Sequence, residues 1–132
     1  MIVQAERKQG LVVSPGVNKT KDLIKLIGPG VFVSMQVTKQ GGVNDITQVA
    51  LYIDGKNVVA ITYAAARNIG LNKPNNSGIM LSEGPIDTIS VQFNEPLLYK
   101  KELRVEIKTG SDSGVVQMVA NVMTGNSCSY PA

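Results

Sequence analysis

Side chains able to do acid–base or metal chemistry are few here and poorly grouped. The chain has 132 residues, no histidine and one cysteine, Cys128. Without histidine there is no usual general base near neutral pH, no usual zinc ligand and no Ser-His-Asp arrangement. Cys128 lies close to the C-terminal end and reads as an ordinary free thiol. One thiol cannot close an internal disulfide, so the fold is expected not to need an oxidising compartment. The carboxylates are scattered: Asp54, Asp87, Glu102 and Glu106 fall at turns or outward strand positions. They read as solvated surface charge rather than as a glycosidase pair. Asp45 and Asp112 lie in glycine-rich loops, but neither loop gathers the several oxygen ligands that calcium requires. No GxGxxG or GxxxxGK[ST] cradle for phosphates occurs. Tyr52, Tyr63, Tyr99 and Tyr130 are not interleaved with basic residues, and Tyr99-Lys100-Lys101 reads as a loop tip, which argues against direct nucleic-acid binding. The expectation is a protein that is not an enzyme, with no cofactor, no metal and no small-molecule substrate.

The elements that would carry any site are strands. Ile89, Val91 and Phe93 alternate with polar neighbours, as do Leu103, Val105 and Ile107. Alternation of period two marks a strand buried on one face. Pro96 lies between these runs and is expected in a loop, because it cannot donate to a ladder. Phe93 is expected in the core. Further strands are expected over 22–27, 31–38, 46–53, 57–63 and 79–81, with Val31, Val33, Met35 and Val37 on one face. Asp54-Gly55 is a hairpin signal, since both residues tolerate positive φ. Ala64–Asn68 favours a short helix with Gly70 as its stop. Residues 115–123 are apolar on both faces: Val115, Val119 and Met123 on one, and Val116, Met118, Ala120 and Val122 on the other. Such a strand belongs between layers or in a subunit interface. About seven or eight short strands separated by Gly, Pro or Asn breaks predict an all-β, antiparallel β-sandwich of jelly-roll type.

Charge is unevenly distributed. Residues 1–25 hold Arg7, Lys8, Lys19, Lys21 and Lys25 against Glu6 and Asp22, which accounts for the whole net charge of +3. Residues 1–21 also contain several breakers and one short apolar run, Leu11-Val12-Val13. They read as an extended N-terminal arm that orders against a neighbour, although the same composition suits a frayed terminus. The domain itself is expected over 22–125, with a polar tail over 126–132. No apolar run is long enough to span a membrane, and the first residues lack the apolar core of a secretory signal. Synthesis in a reducing cytoplasm is therefore the expectation.

Residues 31–125 carry a resemblance. The segments IDGKNVV, SGIMLSEGPIDTISVQF, PLLYKKEL and VVQMVANVMTG together resemble small β-sandwich virion proteins of tailed bacteriophages. That resemblance implies a capsid decoration, or cement, protein that bridges capsomers on the exterior of the virion. It implies the major capsid protein as partner, and frequently a homotrimer. The interface residues expected from the arm and the last strand are Arg7, Lys8, Leu11, Val12, Val13, Lys19, Lys21, Val116, Met118 and Val122. The alternative is a receptor- or carbohydrate-binding module of a tail fibre or adhesin. Sugar sites usually present exposed aromatic platforms, and this chain has no tryptophan and few aromatics.

Overall fold

The computed structural model describes residues 2–42, 46–84, 86–111 and 114–127. Cys128, Asp45, Asp112 and Tyr130 lie outside the described residues. The strands are β1 (Ile2–Val13), β2 (Thr20–Ile27), β3 (Gly30–Gly41), β4 (Gln48–Ile53) and β5 (Lys56–Thr62). The helix α1 (Tyr63–Asn68) follows, then β6 (Ile79–Ser82), β7 (Asp87–Tyr99), β8 (Glu102–Lys108) and β9 (Val115–Ser127). They form two antiparallel sheets, ordered β1-β9-β3-β7-β6 and β2-β8-β4-β5. Set aside the short edge strand β6, and this is the strand order of a jelly roll. The all-β sandwich expected from the alternation is therefore what the chain forms.

Local signals act as the residues require. Asp54 and Gly55 both take positive φ, 52° and 82°, and turn β4 into β5. Thr62 caps α1 by accepting a hydrogen bond from the Ala65 amide at 3.0 Å, and Gly70 follows with φ 84°. The two inner faces interdigitate through Phe32, Met35, Leu51, Ile89, Leu103 and Ile107, all essentially without exposure. Each such side chain contributes about 1.5–3 kcal/mol on burial. Tyr63 is fully buried, and its hydroxyl donates to the Val37 carbonyl at 2.9 Å, tying the start of α1 to β3. The Lys39 ammonium lies 5.1 Å from the centre of the same ring.

Four sequence expectations are corrected. Residues 1–21 are not an arm: β1 pairs with β9 from Ile2↔Ser127 to Val13↔Gln117, and β2 already begins at Thr20. The charges of Glu6-Arg7-Lys8 concealed a strand whose apolar content is concentrated at its ends. Pro96 lies within β7, not in a loop. There β7 steps out of register with β3, pairing through Gln92↔Ser34 and then Leu97↔Phe32, so the missing Pro N–H falls in an irregularity of the ladder. The chain turns instead at Lys100-Lys101. The same irregularity in β3 changes the alternation, so Phe32, Met35 and Val37 face the core and Val33 does not. A second shift, between Gln40 and Gly41 against β9, separates Val116 from Met118. Val115 is buried and Val116 is 53% exposed.

Phe93 is only half-buried. Its ring packs tilted against Phe32, with centroids 6.4 Å apart.

Candidate interaction surface

Registers of the five-stranded sheet define its two faces, since residues directly opposite in a ladder share a face. The inward rows are Lys8–Val122–Met35–Val91–Ile79 and Gly10–Ala120–Val37–Ile89–Leu81. Glycine at position 10 is required by packing. A Cβ there would collide with the Leu23 carbonyl of β2, so β1 can cross β2 this closely only without a side chain.

The outward rows have a different chemistry. They run Leu11–Val119–Thr38–Thr88–Ser82, Gln9–Asn121–Gln36–Ser90–Met80 and Arg7–Met123–Ser34–Gln92, with Val13–Gln117–Gln40 beyond one end and Ala5–Gly125–Val31–Leu98 beyond the other. Arg7, at the β1 edge, is the one charge in these rows. The rest are small hydroxyls, amides and apolar groups. Leu11, Val13, Leu98 and Met80 are 54%, 59%, 52% and 39% exposed. The Gln117 amide donates to the Gln40 side-chain oxygen at 2.7 Å, and Thr38 and Thr88 hydroxyls lie 3.1 Å apart.

The outer face of the other sheet is an ionic lattice. Arg104 donates to Asp22 at 3.0 Å and also to Glu106, while its guanidinium stacks 4.3 Å over the Tyr52 ring. The hydrogen bonds that Arg104 donates to Asp22, foremost, and to Glu106 hold its pKa above its ordinary value against partial burial. Lys25 pairs with Glu102 at 3.4 Å. Lys19, Lys21 and Lys108 are exposed where β2 begins beside the end of β8, with Thr20 opposite Lys108. At the other end of this sheet, Asp54 accepts from the amides of Lys100, Lys101 and Glu102 at 2.7–3.1 Å. These backbone hydrogen bonds, that from Lys100 first, lower its pKa.

The residues expected to form one interface are thus dispersed. Arg7, Leu11 and Val13 project from the amide-rich face. Lys8 points inward beside a cleft of about 350 Å³ between the sheet edges, 3.3 Å from Glu6, and Val12 packs partly buried on the core. Lys21 lies in β2 of the opposite sheet, and Lys19 just precedes that strand. Met118 and Val122 are fully buried core residues and cannot meet a partner. Residues 115–123 are thus a strand whose inward side chains lie between the two layers, and Met118 and Val122 form no subunit interface. What sequence reasoning missed was the outward set itself: Gln9, Gln36, Asn121 and Met123 look unremarkable until register aligns them. Their spacing of two within each strand was legible, but their adjacency was not.

Among the described residues, no group of three His, Cys, Asp or Glu side chains could hold a metal ion, and no helix is long and apolar enough to cross a membrane. No protein-family model and no curated protein matches the sequence. Several solved structures are distantly similar in architecture. FlhE matches with a TM-score of 0.46 at 9% identity, over 93% of this chain and 98% of that one. Latent PorU from Porphyromonas gingivalis matches with 0.46 at 9% identity, over 96% of this chain and 13% of that one. The infectious bursal disease virus Gx strain matches with 0.43 at 14% identity, over 98% of this chain and 34% of that one. The chain therefore spans only a small part of the latter two. Likeness at this level transfers no activity and no partner.

Proposed function

We propose that this protein is a structural component of a virion, a decoration or cement protein that binds the exterior of a phage head shell and bridges its capsomers. The observation that carries the reading is the jelly-roll strand order, β1-β9-β3-β7 against β2-β8-β4-β5, in a chain whose sequence resembles small phage virion sandwiches. Fold alone does not assign function, and the surface chemistry adds to it. The outer faces offer broad contact areas, one ionic and one almost uncharged. Work of this kind is thermodynamic, because surface buried between shell subunits opposes their separation. The exposed Lys19, Lys21 and Lys108 supply a basic end suited to acidic groups on the major capsid protein. All described aromatic rings are buried or half-buried, so the carbohydrate-binding alternative gains no platform from the structure.

The test is co-sedimentation of the purified protein with empty capsids. Saturable binding is expected, weakening as salt rises, because exposed charge pairs are screened over about 8 Å at physiological ionic strength. Lys19→Glu combined with Lys21→Glu should weaken it further. No association with capsids, together with specific retention on a glycan array, would replace this reading with a receptor-binding one.

A further inference from the structure

We infer that the outer face of the β1-β9-β3-β7-β6 sheet is a homotypic interface that packs against the same face of a second copy. This inference is independent of the capsid reading. Protein surfaces ordinarily carry about a quarter to a third charged residues. The outward rows of this sheet carry Arg7 and otherwise none, while the opposite sheet of the same molecule is densely ionic. Depletion of charged residues is the compositional mark of an interface core.

Three features select a second copy as the occupant. First, an uncharged face is its own complement: two copies can meet without stranding a buried charge, and Arg7 lies at the β1 edge, on the rim. Second, the area suffices. Five strands spaced about 4.8 Å apart, over a length of about 27 Å from the Ala5 row to the Val13 row, present about 600 Å². Two copies would bury about 1,200 Å², the lower end of the range for specific interfaces. Third, aligned face-to-face packing of two sheets is a standard arrangement, and a two-fold axis places each patch on itself. The amides of Gln9, Gln36 and Asn121 carry donors and acceptors in equal measure, so they can pair across such an axis.

Sedimentation analysis of the full chain from low to high micromolar concentration should show a reversible shift from 14.1 kDa to twice that mass. Asn121→Lys, in the central row, places two like charges in the interface, one from each copy. Its dissociation constant should rise on the order of tenfold or more. Gln48→Lys, on the outer face of the opposite sheet, should leave it unchanged. Footprinting of the unmutated protein reads the same surface. Met80 and Met123 lie on the outward rows while Met35 and Met118 are buried, so oxidation of the first two should slow as concentration rises. A monomer at every concentration, a trimer, or a dimer in which Met80 and Met123 stay oxidisable would overturn the inference. So would protection of both methionines only when capsids are added, which would make the shell protein the occupant.

Discussion

Asp54 illustrates how much one side chain can organise. Its positive φ makes the β4–β5 turn, and its carboxylate satisfies the amides of the β7–β8 turn. Because those hydrogen bonds lower its pKa, the native state holds fewer protons than the unfolded state as pH falls through the carboxylate range. Its contribution is therefore complete above about pH 4, the unfolded aspartate range, and is lost as pH drops through the lower folded-state value. Asp54→Asn should accordingly narrow the stability gap to the parent protein on acidification, read from denaturant midpoints at stepped pH. Phe32 and Phe93 separate at this scale too. Phe32→Ala removes a fully buried ring and should cost about 3–5 kcal/mol in chemical unfolding. Phe93→Ala should cost distinctly less, because that ring is only half-buried. Gly10→Ala should destabilise through the clash with Leu23, and calorimetry should show a lowered melting temperature despite better strand propensity.

Among the elements, β1 decides most. It covers one side of β9, and its inward residues lie beside Val122, Ala120 and Met118. A chain beginning at Asp22 would expose that edge and uncover part of the core. It should lose cooperative unfolding by far-ultraviolet circular dichroism. A truncated chain melting like the full one would return residues 1–21 to the status of a dispensable arm. β9 shows the reverse case, an element legible in sequence whose faces were misassigned. The shift at Gly41 moves Val116 out and brings Val115 in, because an added residue reverses every alternation beyond it.

For the whole molecule, the jelly roll brings its first and last strands together, since β1 and β9 are neighbours in one sheet. Tyr63 anchors the α1 end to β3, and Tyr99, near the opposite turn, shares a 2.8 Å hydrogen bond with Thr124 of β9. These distant reporters sit in one core, so near-ultraviolet tyrosine circular dichroism and the far-ultraviolet signal should unfold with one midpoint. Two midpoints would reveal separately unfolding sheets.

What the sequence determined by itself was local in cause. Period two in 89–93 and 103–107, Asp54-Gly55 and the alanine run before Gly70 specify strands, a hairpin and a short helix through steric preferences acting within a few residues. The class of the fold follows from their sum. Only the tertiary structure decided register and adjacency. It alone turned a charged N-terminal segment into a sheet strand, buried Met118 and Val122, and aligned Gln9, Asn121 and Gln36 across three strands that are distant in sequence. The reason is physical: ladder partners and irregularities are chosen by the packing of both sheets together, and a single unpaired residue reassigns every side chain that follows.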